Sequence, residues 1–211
     1  MPLSLQKIIN PVREYYTQKV LLHGSSSWGA DWKTRESQEL RFQQLLKITG
    51  SQKNFSILDW GCGYGYLFEY MKKNKYSFVY KGFDLSAEMI RMAQKTYGKP
   101  SNARFQVGSP SRTAADFVVG SGIFNVKLGV PHQPWKNYVL KIIGNMNRFS
   151  RRGFSFNVLT KYSDKKRMRP DLYYADPLFI FDYCKRRFSK DVALLHDYGL
   201  YEFTILVRKK I

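Results

Sequence analysis

The chain has 211 residues, of which 44% are hydrophobic and 24% are charged. This composition is typical of one globular domain whose core needs no disulfide or metal to hold it together. No stretch approaches the roughly 20 apolar residues of a membrane span, and no apolar signal-peptide core opens the sequence. We therefore expect a cytoplasmic protein without a membrane span.

The charge is strongly unbalanced, with 35 Lys and Arg residues against 16 Asp and Glu residues and a formal net charge of +19. Such a surface attracts polyanions, whether nucleic acid, anionic lipid headgroups or a phosphorylated substrate. The basic clusters are scattered, and no basic tail stands out. The sequence therefore predicts nonspecific binding to polyanions such as RNA, although a role in solubility alone explains the charge equally well.

Two cysteines, Cys62 and Cys184, are too few for a disulfide framework or a zinc site, so we predict no metal. We expect Cys62 in a tight loop and Cys184 in a helix. Neither has neighbours in sequence that would activate a thiolate. Chemistry that needs a cysteine nucleophile is therefore not expected.

The first 50 residues are predicted to be a helical or lid segment, followed by one domain over residues 51–211. Residues 38–48 have the apolar spacing of an amphipathic helix. Before them, residues 23–29 are rich in glycine and serine and include Trp28. Loops of that composition often form lids.

From residue 55 onward, short apolar runs rich in β-formers alternate with helical patterns, which is typical of βαβ units. Strands are predicted over 55–60, 76–83, 104–107, 116–121, 153–159, 191–196 and 201–207, and helices over 66–73, 134–146 and 177–188, with another beginning after its cap at Ser86. The turn between the last two strands is too short for a helical crossover. We expect an α/β domain with a seven-stranded, mostly parallel sheet, a C-terminal antiparallel hairpin and helices on both faces.

The segment 57–66 carries the most specific signal. An apolar strand ends at Asp59 and turns through Gly61, Gly63 and Gly65 into a helix. Glycine is required where the backbone turns sharply and where a ligand approaches closely. The spacing differs from the Gly-x-Gly-x-x-Gly of dinucleotide sites. About twenty residues later, Asp84 ends the next strand, where a carboxylate can accept both hydroxyls of a ribose.

These two elements on consecutive strands resemble motif I and the ribose-binding position of the class I S-adenosylmethionine-dependent methyltransferases. The segments 32–42, 121–127 and 171–201 are also similar to a group of uncharacterised bacterial methyltransferases. The resemblance implies a single Rossmann-like domain, with Asp59 ordering the loop and the methionine amino end. It implies S-adenosylmethionine as cofactor, bound by Asp59, Gly61, Cys62, Gly63, Asp84, Leu85, Met89, Gly108, Ser109, Ser121, Gly122 and Trp32. The flexible, aromatic-bearing loop ahead of the first strand further predicts a lid over this cofactor, with Trp28 or Trp32 near the methionine end.

Two departures from related motifs narrow the reaction. The residues after the third strand, 107–110, lack the acidic residue with which many family members bind the adenine amino group. Residues 121–125 do not match the Asn/Asp-Pro-Pro-aromatic motif with which enzymes that methylate nucleic-acid amines grip their target. We therefore do not expect methylation of adenine N6 or cytosine N4 by that route.

Candidate catalytic residues lie at the carboxyl ends of predicted strands, where open α/β sheets bind ligands. His196 is the leading candidate for a general base, and a packed hairpin residue is the alternative. Tyr198 and Tyr173 are further candidates, and Tyr174 and Asp176 could line the acceptor pocket. Asp176 also has a sufficient structural role as a helix N-cap. His23 and His132 are loop candidates of lower rank.

The sequence thus favours O- or N-methylation of a small or medium-sized metabolite as a small-molecule acceptor. An RNA methyltransferase is the first alternative, favoured by the net charge of +19 and the aromatic fraction of 16%. A regulatory protein that binds S-adenosylmethionine without turnover is the second. The sequence does not fix the acceptor atom or the oligomeric state.

Overall fold

The computed structural model describes residues 4–110 and 114–210. The strands are β1 (Phe55–Trp60), β2 (Phe78–Asp84), β3 (Ala103–Val107), β4 (Ala115–Gly120), β5 (Ser150–Leu159), β6 (Asp191–Leu195) and β7 (Glu202–Arg208). The α-helices are α1 (Leu5–His23), α2 (Arg35–Leu46), α3 (Tyr66–Lys73), α4 (Ala87–Tyr97), α5 (His132–Phe149) and α6 (Pro177–Arg187). Within the described part of the chain, no helix combines the length and apolar character that crossing a membrane requires.

The seven strands form one sheet in the order β3-β2-β1-β4-β5-β7-β6. Strands β1 to β5 pair in parallel, whereas β7 runs antiparallel to both β5 and β6. The carboxyl ends of β1, β2, β4 and β5 therefore meet at one edge of the sheet. This arrangement confirms the predicted α/β fold and its C-terminal hairpin.

Most predicted elements are present, and their boundaries shift by a few residues. The loop positions expected for His23 and His132 are wrong, because His23 ends α1 and His132 begins α5. The helix was predicted to begin at Pro134, but Pro134 lies within the first turn of α5. A proline is tolerated there because the N–H groups of the first turn have no partner within the helix. The predicted caps are correct: Ser86 accepts from the N–H of Met89, and Asp176 accepts from the first turn of α6.

Two hydrophobic clusters pack against the two faces of the sheet. One contains residues of β1, β4, β5 and β7 together with α5 and α6, and Trp135 is fully buried in it. The other holds residues of α2, α3 and α4, with Phe68 and Met71 at its centre. Successive residues of β1 enter opposite clusters, as the two-residue period of a strand requires. Leu58 packs in the cluster with α5 and α6, and Ile57 packs in the cluster with α2, α3 and α4.

Helix α1 lies in the predicted helical or lid segment, although its bounds were not predicted, and it crosses from one cluster to the other. Ile8 belongs to the cluster that contains α5, and Val20 belongs to the cluster that contains α4. These residues are twelve positions apart, or roughly 18 Å along a helix. The helix contains Pro11 and exposes Leu21 and Leu22, so its sequence lacks a clear apolar stripe. Because its two ends pack against different clusters, α1 lies across the carboxyl edge of the sheet.

A buried ion pair fixes α2 to that same edge. The Nε of Arg41 donates to Glu202 Oε1 at 2.7 Å, and a second guanidinium nitrogen bonds the same oxygen. The other carboxylate oxygen accepts from Asn157 Nδ2 at 2.7 Å. Arg41 also donates to the carbonyl of Ser37 at 2.6 Å. Because these hydrogen bonds replace water, the two charges are tolerated out of solvent.

The hydrogen-bonded chain continues into the loop after β4. Asn157 Oδ1 accepts from the N–H of Gly122 at 2.6 Å. The Arg41 guanidinium lies over the Trp32 ring at 4.1 Å from its centroid. A Cβ at Gly122 would lie 2.5 Å from the ring carbons of Trp32, and its φ is +69°, so only glycine fits there. Arg41, Glu202 and Asn157 together thus hold Trp32 against Gly122.

Replacing Glu202 by Ala should reduce the free energy of unfolding by about 3–5 kcal/mol, because Arg41 would be left as an uncompensated buried charge. Urea denaturation measures this change. The double variant Arg41→Met, Glu202→Leu should recover much of the loss, since it leaves no buried charge. Asp182→Ala, which removes the partner of Arg186 in an exposed pair, is the control and should leave stability unchanged. Equal losses of stability in Glu202→Ala and Asp182→Ala would contradict the importance of the buried pair.

Candidate cofactor site

A cavity lies over the carboxyl ends of β1, β2 and β4, where an open α/β sheet binds its ligand. Its floor is the turn after β1 and the loops after β2 and β4, and its roof is α1, Trp32 and the first turns of α2. The cavity brings together nearly all the residues that the sequence predicted for the cofactor: Trp32, Asp59, Gly61, Cys62, Gly63, Asp84, Leu85, Met89, Gly108, Ser121 and Gly122. Ser109 is exposed and lies outside the lining.

The turn after β1 depends on its glycines. Gly61, Gly63 and Gly65 have φ angles of +75°, +54° and +84°, a region that other residues rarely adopt. A Cβ at Gly61 would also lie 2.5 Å from a methyl group of Ile123. The N–H groups of Gly61 and Cys62 donate to the carbonyl of Phe83 on β2, which ties the turn to the neighbouring strand. The backbone is thereby exposed to the cavity without intervening side chains.

Asp84 is held in place by the backbone around it. Its Oδ2 accepts from the N–H of Gly63 and its Oδ1 from the N–H of Ser86, both at 2.9 Å. Burial raises the pKa of Asp84, and these backbone donors oppose the rise. Each oxygen keeps a free lone pair, as the binding of two vicinal hydroxyls requires. The geometry is suited to the predicted contact with a ribose.

Asp59 is the second carboxylate of the cavity and is almost completely buried. Burial raises its pKa to about 7, while the hydroxyl of Tyr80, which donates to Asp59 at 2.6 Å, opposes the rise. At neutral pH the group is therefore poised between its two forms. A positive charge placed in the cavity would shift it to the carboxylate. Such a site is suited to the methionine end of a cofactor that carries an ammonium and a sulfonium group.

An unsatisfied polar atom points to a missing partner. The hydroxyl oxygen of Ser121 is buried and has no hydrogen-bond partner among the residues that the structure describes. Ser121 follows β4 and lines the cavity beside Gly122. Buried polar groups in proteins are nearly always hydrogen-bonded. The glycine turn, the two carboxylates and this free hydroxyl all fit S-adenosylmethionine, which supplies the electrophilic methyl group when bound.

The roof includes residues that the sequence did not identify. Val12, Arg13 and Tyr16 of α1 and Gln38 of α2 line the cavity. Helix α1 is held over the loop after β2 by a hydrogen bond of 2.8 Å between Thr17 and Ser86. These residues were missed because no local signal predicted α1. Of the two tryptophans expected near the methionine end, Trp32 lines the cavity, whereas Trp28 is 55% exposed and does not.

The three predicted catalytic residues all lie outside the cavity lining. His196 follows the edge strand β6 and is exposed, with its ring 6.2 Å from that of Tyr162. Tyr198 shares a hydrogen bond of 3.0 Å with Thr204. Tyr173 is buried, and burial raises its pKa to about 12. The roles of these residues stay predictions.

Two other candidates are placed by the structure. The rings of His132 and Tyr173 are 5.3 Å apart, beside the start of α5. Cys62 lies in the turn after β1 and Cys184 in α6, as expected, and both are buried. Burial raises the pKa of both thiols, that of Cys184 to about 12. Neither cysteine therefore has the character of a nucleophile at neutral pH.

Comparison with known proteins agrees with this geometry. The family model of the methyltransferase domain matches residues 57–152. The Mycobacterium tuberculosis protein Rv1506c, whose name describes it as a methyltransferase, is 51% identical over 164 residues, which cover 78% of this chain and 99% of that protein. This chain is a class I S-adenosylmethionine-dependent methyltransferase.

Solved structures show that the methyltransferase shares its fold with enzymes that were crystallised with the cofactor. Magnesium protoporphyrin IX methyltransferase from Synechocystis with bound S-adenosylhomocysteine has a TM-score of 0.65 at 15% identity, with 95% of this chain and all of that chain covered. A complex of DhpI with S-adenosylmethionine has a TM-score of 0.67 at 12% identity, with 98% and 100% covered. At these identities the likeness establishes the fold and leaves the acceptor open.

Replacing Asp84 by Asn in the methyltransferase should weaken S-adenosylhomocysteine binding about ten- to a hundredfold, because the ribose hydroxyls lose a charged acceptor. Asn keeps the size but only one acceptor oxygen, so the N–H of either Gly63 or Ser86 loses its partner and the melting temperature should fall modestly. Calorimetry measures the affinity, with Asp182→Asn on the exposed face of α6 as control. Unchanged affinity in Asp84→Asn would mean that the ribose is bound elsewhere.

Proposed function

We propose that this methyltransferase transfers the methyl group of S-adenosylmethionine to an oxygen or nitrogen of a small or medium-sized metabolite. The main support is the roof of the cavity. Helix α1, Trp32 and Tyr138 of α5 surround one chamber above the glycine turn. A chamber roofed by a helix in this way accommodates a small acceptor better than a folded polymer.

The transfer itself is an in-line displacement in which the acceptor atom forms a bond to the methyl carbon as the bond from sulfur to carbon breaks. S-Adenosylhomocysteine leaves, and an acceptor that carries a proton on the attacking atom must lose it. The protein's contribution is to align the two reactants and to exclude water. The walls that Ile123 and Tyr138 provide beside the cofactor residues suit this role.

The composition of the lining bears on the acceptor atom. Among the described residues that line the cavity there is no histidine, and its two carboxylates are those of Asp59 and Asp84. A hydroxyl acceptor needs a general base, which contributes 10² to 10⁴-fold. An amine that binds deprotonated, or an acceptor that is already an anion, needs little help. These acceptors fit the lining better, because His196, the predicted base for a hydroxyl acceptor, follows the edge strand β6 and lies outside the lining.

The N-terminal residues are proposed to act as a lid. Within α1 only Ile8 and Val20 are buried, and polar contacts such as that between Thr17 and Ser86 hold the helix down. The adjoining residue Asp31 bonds Tyr15 at 2.7 Å and Lys19 at 2.7 Å. Such contacts are weak enough to open on the timescale of turnover. Opening of α1 gives the cofactor a path into the cavity.

RNA methylation is the alternative that the charge favours. The net charge of +19 would bind RNA through its phosphates without sequence preference. This surface is spread over the molecule, and the basic turn Lys165–Arg167 lies on the loop after β5. A protein that binds S-adenosylmethionine without turnover is the second alternative.

The experiment incubates the protein with S-adenosylmethionine that is labelled in its methyl group. One reaction contains a bacterial small-molecule extract as the source of acceptors, and the other contains total RNA. We expect label in the small-molecule fraction and none in RNA at 200 mM salt. Asp84→Asn should lower the incorporation strongly and Asp182→Asn should not. Labelled RNA that resists high salt would favour the RNA alternative. Binding of the cofactor without label in either fraction would favour the regulatory one.

A further inference from the structure

The residues of α1 that line the cavity lie in sequence from one end of the cavity to the other. Tyr16 lies at the end of the cavity near Asp84, since the hydroxyl of the next residue, Thr17, shares a hydrogen bond of 2.8 Å with Ser86 in the loop after β2. Val12 and Arg13 lie about one helical turn earlier, roughly 5 Å away along the axis. Val12 packs with the cluster that contains α5, from which Tyr138 also lines the cavity. Arg13 therefore stands beyond the ribose carboxylate, towards the end lined by Ile123 and Tyr138.

Arg13 has no acidic partner among the residues that the structure describes. The carboxylates around α1 are engaged by other groups. Asp31 accepts from Tyr15 and pairs with Lys19. Asp171 pairs with Arg169, which itself lies beside Tyr15. Glu14 accepts from Gln18, one turn further along the helix. Arg13 is exposed at the rim of the cavity, and its guanidinium is available to a ligand that enters there.

The carboxylates inside the cavity do not fill this role either. Asp84 already accepts two backbone N–H groups, and Asp59 is buried against Tyr80. A guanidinium is planar and always charged, and it binds a carboxylate or a phosphate through two parallel hydrogen bonds. An arginine that faces a ligand chamber without a partner is therefore suited to an anionic ligand.

We propose that the acceptor carries a carboxylate or phosphate group that binds Arg13, next to an apolar or aromatic ring that packs between Tyr16 and Tyr138. This inference rests on the proposed function and names the acceptor class. Val12 and Ile123 complete the apolar part of this end. Arg13 is a specificity residue here. It binds the anionic group of the acceptor, and the reacting atom of the acceptor then lies towards the cofactor.

The charge of the whole protein supports the same class of acceptor. A net charge of +19 raises the local concentration of anions and speeds their association with the cavity. Steering of this kind acts on any anion, whereas the contact with Arg13 is local. Loss of one charge-assisted contact should weaken binding about ten- to a hundredfold. The two effects are separated by removing one charge at Arg13 and one far from the cavity.

The test uses the protein saturated with S-adenosylhomocysteine and titrates it with phenyl phosphate, benzoate and neutral benzyl alcohol in a calorimeter. At least one of the two anions should bind tenfold or more tightly than benzyl alcohol, and the better anion distinguishes phosphate from carboxylate. Arg13→Gln should remove that advantage, Arg13→Lys should restore part of it, and neither should change affinity for S-adenosylhomocysteine. Arg187→Gln removes an exposed charge at the end of α6 and should change nothing.

The proposal is overturned if neither anion binds better than benzyl alcohol, or if Arg13→Gln leaves the preference intact. It is also overturned if Arg187→Gln weakens binding of the anion as much as Arg13→Gln does, because the effect would then be general electrostatic steering. A loss of S-adenosylhomocysteine affinity in Arg13→Gln would assign the guanidinium to the cofactor instead. Failure of the proposed function is distinct from all of these, since it would be seen as methylation of RNA or as no turnover with the cofactor bound.

Discussion

The buried pair of Arg41 and Glu202 determines how the site of this methyltransferase is assembled. Burial of two charges costs several kcal/mol for each ion, so the pair is tolerated only because its geometry is closely satisfied. Glu202 uses one oxygen for Arg41 and the other for Asn157. The pair thus joins α2 to two adjacent strands at the carboxyl edge of the sheet. Its contribution is positional: it fixes one wall of the cavity.

The wall that it fixes is built from Trp32 and Gly122. The Arg41 guanidinium lies over Trp32, and Asn157 holds the backbone of Gly122. Without a Cβ at Gly122, the tryptophan ring can reach the loop after β4. The other wall, α1, lacks such an anchor and is held by the buried Ile8 and Val20, the partly buried Val12 and Tyr16, and a few part-buried polar contacts. The cavity thus has one rigid wall and one that the proposed lid motion can displace.

The sequence predicted those parts of the site whose signal is local. The turn at Gly61, Gly63 and Gly65 needs positive φ angles, and Asp84 follows at a fixed separation on the next strand. Both features can be read from a short segment, and the structure places them in one cavity. The pair of Arg41 and Glu202 could not be found in this way, because 161 residues separate its members.

Helix α1 and the catalytic residues were harder to predict for different reasons. Helix α1 contains Pro11 and exposes Leu21 and Leu22, so its apolar positions follow no clear period. The argument from strand ends placed His196 at the correct edge of the sheet. It could not give the strand order, in which three strands separate β6 from β1, a distance of roughly 19 Å across the sheet. A residue can thus follow a strand at the right edge and still lie far from the cofactor.

Hydrogen exchange in the presence and absence of S-adenosylhomocysteine tests most directly whether the cavity has one fixed and one movable wall. We expect α2, which the buried pair anchors, to exchange equally slowly in both states. Residues 5–31, which include α1 and the loop before Trp32, should gain strong protection when the cofactor binds. Equal protection of residues 5–31 in both states, or a change in α2 as large as that in α1, would contradict this account.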